Sequence, residues 1–391
     1  MSKNFLRWRN SKRRFFHAGN DNRELVRAIR AMQSINRPVF NESSVPTLGF
    51  NDFNICSTLK ENISRRRYVC PTPIQEKAIP VITSGRDIIG IANTGTGKTA
   101  AFLLPLLDKV FRSNKDEKVL IITPTRELAL QIKEELVFFA RGLRIWSALC
   151  IGGMGIGRQK RDLGQNPDFV IGTPGRLKDL IREKALDLQG FNNVVLDEAD
   201  RMVDIGFIAD IKYFISLLPK KRQSLFFSAT ISSKVKQILE NFVRDPVTVS
   251  VKQTDTVDGI KQEIIQVSDR HKKIDQLHNL LIQQGFEKIL IFGRTKWGVQ
   301  KLSDELVRRG FRAGAIHGNK RQSQRIRTLE NFKQNRINIL LATDVASRGL
   351  DIQNISHVIN YDLPDTFDDY IHRIGRTGRA NKKGVALTFM E

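Results

Sequence analysis

The chain has 391 residues, enough for two ordinary domains with full cores. Its 64 Lys and Arg against 41 Asp and Glu give a formal net charge of +23 and a pI near 10.1. That excess goes far beyond what solubility requires and points to a polyanion such as nucleic acid rather than to a basic partner. Cys56, Cys70 and Cys150 are odd in number and lack metal-ligand spacing, which argues against a disulfide-stapled domain or a zinc site; no apolar stretch approaches membrane-spanning length.

Residues 1–45 form a basic N-terminal extension, with ten Lys and Arg against three acids. Phe5, Leu6, Trp8, Phe15 and Phe16 lie scattered among its arginines without a settled period. Two readings stay open: a disordered arm that adds nonspecific affinity for nucleic acid, and a mitochondrial presequence, whose acid-free character ends at Asp21 and Glu24. Within 22–33, Leu25, Ile29 and Met32 mark a short amphipathic helix, and Pro38, Ser43, Ser44 and Pro46 read as linker.

From there apolar strands alternate with helical patterns. The expected strands are Ile88–Ala92, Val119–Thr123, Trp146–Ile151, Phe169–Gly172, Val194–Asp197 and Ser224–Ser228, with helices such as Ala100–Val110 and Glu127–Ala140 between them. A charge-rich, glycine-containing interval over 252–259 interrupts the pattern, which resumes with Ile289–Phe292, Arg312–Ile316, Ile339–Ala342, His357–Tyr361 and Val385–Phe389. Two α/β lobes with parallel sheets, 46–251 and 260–391, joined by a short linker, are the simplest account. In such sheets functional residues gather at the carboxyl ends of the strands.

Two strings in the first lobe read as halves of one nucleotide site. Ala92-Asn93-Thr94-Gly95-Thr96-Gly97-Lys98-Thr99 is a P-loop variant in which Ala92 replaces the first glycine of the general pattern. Its glycines let successive backbone N–H groups turn toward phosphates, Lys98 can reach the β/γ oxygens, and the Thr99 hydroxyl can ligate Mg²⁺. Asp197-Glu198-Ala199-Asp200 follows the apolar run Val194–Leu196. A carboxylate there, Asp197, can hold the metal, and Glu198 can orient a water on the γ-phosphate of ATP. Each string alone is weak, but their order and separation make the pair specific.

These residues carry a resemblance: from Phe50 onward the chain is similar to the DEAD-box ATP-dependent RNA helicases, with details closest to the bacterial RhlE-like branch. Pro71-Thr72-Pro73-Ile74-Gln75 resembles the family's Q motif, which implies that Gln75 reads adenine and that Phe50 stacks on the base. A glutamine amide offers a donor and an acceptor together, so it pairs with adenine N6 and N7 and rejects guanine. Pro124-Thr125-Arg126-Glu127-Leu128, Gly152-Gly153 and Thr173-Pro174-Gly175-Arg176 match the RNA-binding strings of the first lobe, and Ser228-Ala229-Thr230 the string that couples hydrolysis to strand separation. Pro, Thr, Gly and Arg loops suit an RNA backbone, because glycine permits close approach and arginine supplies charge.

In the second lobe Phe292-Gly293-Arg294-Thr295-Lys296, His317-Gly318-Asn319-Lys320, Ala342-Thr343-Asp344, Arg348-Gly349-Leu350-Asp351 and His372-Arg373-Ile374-Gly375-Arg376-Thr377-Gly378-Arg379 fall in family order. The resemblance implies two RecA-like domains, RNA contacts at Arg294 and Thr343, nucleotide contact at Asp351, and a link from His372 to Asp200, Ser228 and Thr230. Arg376 and Arg379 stand at i, i+3, so on a helix both would share one face and aim at the γ-phosphate. His317 is left as a structural histidine. Asn93, Arg67 and Ser347 depart from the family's usual glutamine, glycine and alanine, and the sequence stops at Glu391 where the family adds a closing helix, so part of the second sheet's face is expected to be uncovered.

The function implied is an RNA-stimulated ATPase of the cytoplasm, acting as a monomer without a membrane. It would bind RNA backbone between its lobes and use ATP and Mg²⁺ to separate short duplexes or remodel RNA and its protein complexes. Two other readings remain at this stage, an ATP-gated RNA clamp or annealing factor and a DNA-acting helicase of the same superfamily; Glu198 with the arginine pair argues against the first, and the Q motif with the DEAD string against the second.

Overall fold

A computed structural model gives the structure, which describes residues 26, 27, 29, 48–93, 95–113, 116–251, 260–267, 269, 272–283, 285–347, 354–378 and 384–391. The extension up to residue 25, the linker 252–259, and the candidate residues Thr94, Asp351 and Arg379 lie outside them. The chain divides into two units, one of Glu42–Thr254 and one built mainly from Asp255–Arg348 and Ile352–Glu391.

The first unit holds a seven-stranded sheet of β1 (Ile88–Ile91), β2 (Val119–Ile122), β3 (Ser147–Cys150), β4 (Phe169–Gly172), β5 (Asn193–Leu196), β6 (Gln223–Ser228) and β7 (Val247–Ser250), in the order β3-β4-β2-β5-β6-β1-β7. Every neighbouring pair is parallel. Parallel strands need crossovers, and the helices that supply them cover both faces, so the central strands are apolar on both sides. Val119 and Ile121 of β2 pack into one core with the helices Lys98–Arg112 and Arg126–Phe139, while Leu120 and Ile122 pack into the other with Pro174–Arg182 and Ile208–Leu217. That alternation is the period-two geometry of a strand buried on both faces.

The second unit repeats the plan with β8 (Ile260–Gln266), β9 (Ile289–Phe292), β10 (Ala313–Ile316), β11 (Ile339–Ala342), β12 (His357–Asn360) and β13 (Gly384–Met390), ordered β10-β11-β9-β12-β13-β8 and again parallel. Two tandem parallel-sheet RecA-like domains are thus the architecture.

Two strands escape the sequence pattern, β7 and β8, and both are sheet edges. Val26, Arg27 and Ile29 are helical, and Ile29 is fully buried among Ile260, Tyr370, Ile374, Ala386 and Met390. The apolar face offered by β8 and β13, expected to be partly uncovered, is therefore covered in part by Val26 and Ile29.

Candidate nucleotide and RNA sites

The P-loop connects β1 to the helix Lys98–Arg112. Gly95 and Gly97 take φ of 86° and 90°, a left-handed conformation that only glycine adopts without strain. Gly97 has a second constraint, since a Cβ there would stand 2.4 Å from Gln75 Nε2. Gln75, buried in the helix Pro73–Thr83, donates from Nε2 to the Gly97 carbonyl at 3.0 Å and accepts from the Thr72 N–H at 2.9 Å. The Q-motif glutamine and the P-loop are thereby one hydrogen-bonded assembly. Thr96 Oγ1 donates to the Asn93 carbonyl at 2.8 Å, and Thr99 stands in the first helical turn. Lys98 is buried, with Nζ donating to the Ala92 carbonyl at 2.6 Å.

Phe50 is 6% exposed and packs against Phe53 and Tyr68.

Asp197 and Glu198 follow β5, two strands along from β1. Glu198 adopts φ 53° and ψ 51°, left-handed for a non-glycine residue, and so turns the chain sharply from strand into the helix Ala199–Ile205. Such a conformation costs roughly 1–3 kcal/mol and persists only where the surroundings over-determine it. Here they do: Glu198 Oε2 lies 2.8 Å from Arg201 Nη1, both side chains about 5% exposed or less, and the Glu198 N–H donates to Asp197 Oδ1 at 3.0 Å. Burial pushes the Asp197 carboxyl up, to about 7, against the lowering pull of Lys98, while Glu198 and Asp200 add to the rise. A buried acid whose charged form is under-compensated fits a divalent cation, which supplies the missing charge. The donor set, Asp197 with the Thr99 hydroxyl, is all oxygen, as Mg²⁺ prefers.

Asp200 ties this loop to the end of β6. Its Oδ2 accepts from the Ala229 and Thr230 N–H groups, both at 3.0 Å, and from Thr230 Oγ1 at 3.3 Å; its own N–H donates to Ser228 Oγ at 3.2 Å, and Ser228 Oγ donates to the Thr230 carbonyl at 2.7 Å. The structure brings the three coupling candidates into one network.

The RNA strings follow β2, β3 and β4, the strands on the other side of β5. Pro124 precedes Thr125, which caps the helix Arg126–Phe139 by accepting from the Leu128 N–H at 3.3 Å. The Arg126 guanidinium lies against Gly152, where a Cβ would come within 2.8 Å of Nη2, and Gly153 follows at φ 79°. Thr173, Pro174 and Gly175 open the helix Pro174–Arg182, and Arg176 Nη1 donates to the Met154 carbonyl at 3.1 Å. Three separate loops are thus cross-linked by two arginines along one edge of the sheet.

In the second unit, Arg294 follows β9. Its backbone N–H donates to Asp362 Oδ2 at 2.8 Å and Nη2 to the Leu363 carbonyl at 3.3 Å. Thr343 follows β11 and is buried. The helix Phe367–Ile374 ends at Gly375, so Arg376 stands in the following turn, 5% exposed, while Arg379 lies outside the described residues. His372 is half-buried in the last turn of that helix. Arg373, which the sequence reading assigned no task, is 2% exposed. It grips Asp344 through two bonds of 2.6 and 2.7 Å and donates to Asn360 Oδ1 and the Asp362 carbonyl. Arg201 was likewise unassigned. For both, the available signal was an arginine inside or directly after a motif, in a position where burial demands a partner.

The comparisons with known proteins agree with this geometry. The family model of the DEAD/DEAH box helicase matches residues 72–238, and that of the helicase conserved C-terminal domain matches residues 272–381. The DEAD-box ATP-dependent RNA helicase CshA of Bacillus subtilis (strain 168) is 46% identical over 345 residues, 88% of this chain and 70% of its own. The CshA helicase of Limosilactobacillus reuteri is 44% identical over 342 residues, 87% and 69% of the two chains. These relatives carry the CshA name rather than that of the RhlE-like branch. Among solved structures, S. cerevisiae Dbp5 bound to RNA and ADP BeF3 is similar with a TM-score of 0.79 and 33% identity, covering 88% of this chain and 89% of its own. With both family domains in tandem on two parallel-sheet units, the chain belongs to the DEAD-box ATP-dependent RNA helicases.

Proposed function

We propose that the protein is an RNA-stimulated ATPase that separates short RNA duplexes or remodels RNA, holding the RNA by its backbone and largely without regard to sequence. The observation that carries this reading is the division of one sheet edge: nucleotide loops follow β1, β5 and β6, RNA loops follow β2, β3 and β4, and β5 stands at the boundary. A nucleotide-dependent shift at β5 is therefore one strand away from the RNA loops.

In this reading Lys98 leaves the Ala92 carbonyl for the phosphates, and the P-loop N–H groups between Gly95 and Thr99 cradle them. Glu198 orients the attacking water, Arg201 holds its carboxylate in place, and Asp200 passes the state of the loop to Ser228 and Thr230. Asp197 and Thr99 would hold Mg²⁺, which supplies charge neutralisation at the β- and γ-oxygens when bound. RNA is grasped by Arg126, Arg176 and the loops they brace, with Arg294 and Thr343 contributing from the second unit. A cytoplasmic location belongs to this reading, and the bacterial relatives support it.

Paired variants test the assignment. Lys98→Ala loses a phosphate contact, so ATP binding and turnover both fall. Glu198→Gln keeps the ground-state contacts and loses water positioning, so it accumulates an ATP·RNA complex that does not turn over. Equal loss of ATP binding in the two variants, read with a fluorescent nucleotide, removes the role given to Glu198.

A further inference from the structure

We propose that Trp297 is a base-stacking platform for single-stranded RNA on the second unit, a contact that rests on the helicase reading and adds to its backbone contacts a grip on the bases.

Trp297 lies in the first turn of the helix Lys296–Arg308 and is 79% exposed. A lone exposed apolar residue needs no explanation in itself; its place in the fold is what matters here. The helix starts directly after the carboxyl end of β9, beside Arg294. The Lys296 side chain crosses to the next loop but one, reaching within 3.2 Å of where a Cβ at Gly318 would stand. Trp297, the next residue, therefore sits in the helical turn that opens at the carboxyl end of β9, beside the side chain that spans to the loop after β10. That end of the sheet carries Arg294, half exposed and 3.7 Å from Asp365, and there Lys320, Arg325 and Lys296 outweigh Asp304 and add to burial in holding the His317 imidazole below its ordinary value. An aromatic side chain set among cations at a strand's carboxyl end is the arrangement that binds single strands, with phosphates on the charges and a base on the ring.

Trp146 provides the internal contrast. It is 67% exposed, yet it precedes β3, at the amino end of the first sheet, with its backbone N–H on Asp168 Oδ2 at 2.7 Å. The functional loops lie at the opposite end of that sheet. Stacking is also tolerant of base identity, so the contact adds affinity without imposing a sequence.

Single-tryptophan proteins test this directly. In the Trp8→Phe, Trp146→Phe background Trp297 is the sole indole; adding single-stranded oligouridylate with a non-hydrolysable ATP analogue should quench its fluorescence. With Trp146 as the sole indole the signal should stay flat. Trp297→Ala should weaken binding of the intact oligonucleotide by roughly 5- to 100-fold, with Trp297→Tyr recovering most of it. An abasic ribose-phosphate oligomer of the same length should bind the wild type and Trp297→Ala alike. Absence of quenching, or an equal loss on intact and abasic strands, overturns the proposal. Stimulation of wild-type ATPase by the same RNA is measured in parallel, so failure of the helicase reading is seen separately.

Discussion

At Gln75 the amide has two N–H groups and two oxygen lone pairs, and one of each is committed to the Gly97 carbonyl and the Thr72 N–H. One donor and one acceptor remain, in a side chain whose orientation is fixed by the P-loop itself. That pair suits adenine N7 and N6 and mismatches guanine, which offers two acceptors at the same edge. Gln75→Ala should therefore remove discrimination between ATP and GTP as well as weaken ATP, because a site with committed polar groups rejects an analogue by leaving them unpaired. Competition of ATP and GTP for the variant checks this, and an unchanged preference refutes it. Motif spacing made Gln75, Lys98 and Glu198 legible from the sequence. It gave no sign that Glu198 would be left-handed and clasped by Arg201, since that depends on neighbours that only the fold assembles.

Among the elements, the central strands were the easiest to read. β4, β9 and β11 begin and end where their apolar runs do, because burial on both faces leaves no polar position. β7 and β8 are edges half open to water, and Ile260-Lys261-Gln262-Glu263 reads as surface until β13 is there to pair with it. The N-terminal helix was legible as amphipathic, but its dock was not. Ile29 being fully buried against β8, β13 and the helix Phe367–Ile374, Ile29→Ala should destabilise the second unit by about 2–4 kcal/mol, read as a lower midpoint in urea. Removing residues 1–21 alone should leave that midpoint unchanged while making RNA binding less salt-dependent. His357, at the start of β12, stacks on Phe286 with ring centroids 3.9 Å apart, and burial holds its imidazole below the ordinary 6.5. The unfolded chain then takes up the proton first, so the contribution of this histidine is complete above 6.5 and drains as pH falls below it. His357→Phe keeps the stack without the proton, and should lose less thermal stability than the wild type between about pH 7.5 and about pH 5.5. Parallel losses in the two proteins would remove His357 as the cause.

For the whole molecule, the question is whether two units with the same plan act as one machine. The first carries the P-loop, Asp197 and Glu198, and the second carries the arginine string. Within the second unit Arg373 is committed to Asp344 and Asn360 and braces the helix end, which leaves Arg376, and Arg379 beyond it, as the residues to test for a part in hydrolysis. If the second unit completes the hydrolytic site only when RNA is bound, Arg376→Ala and Arg379→Ala should each remove RNA-stimulated hydrolysis while ATP still binds the first unit. An arginine at a transferring phosphoryl group contributes roughly 10³- to 10⁵-fold in rate, so the loss stands clear of any redundancy between the two. Two controls sharpen the result. Arg373→Met should lower the stability of the second unit, and urea midpoints measured for all three variants separate bracing from chemistry. ATP affinity measured without RNA should be the same in the double variant as in the wild type. Full stimulation by RNA in that double variant would mean that the first unit hydrolyses ATP on its own and that the second merely holds RNA, and the coupled mechanism would have to be given up.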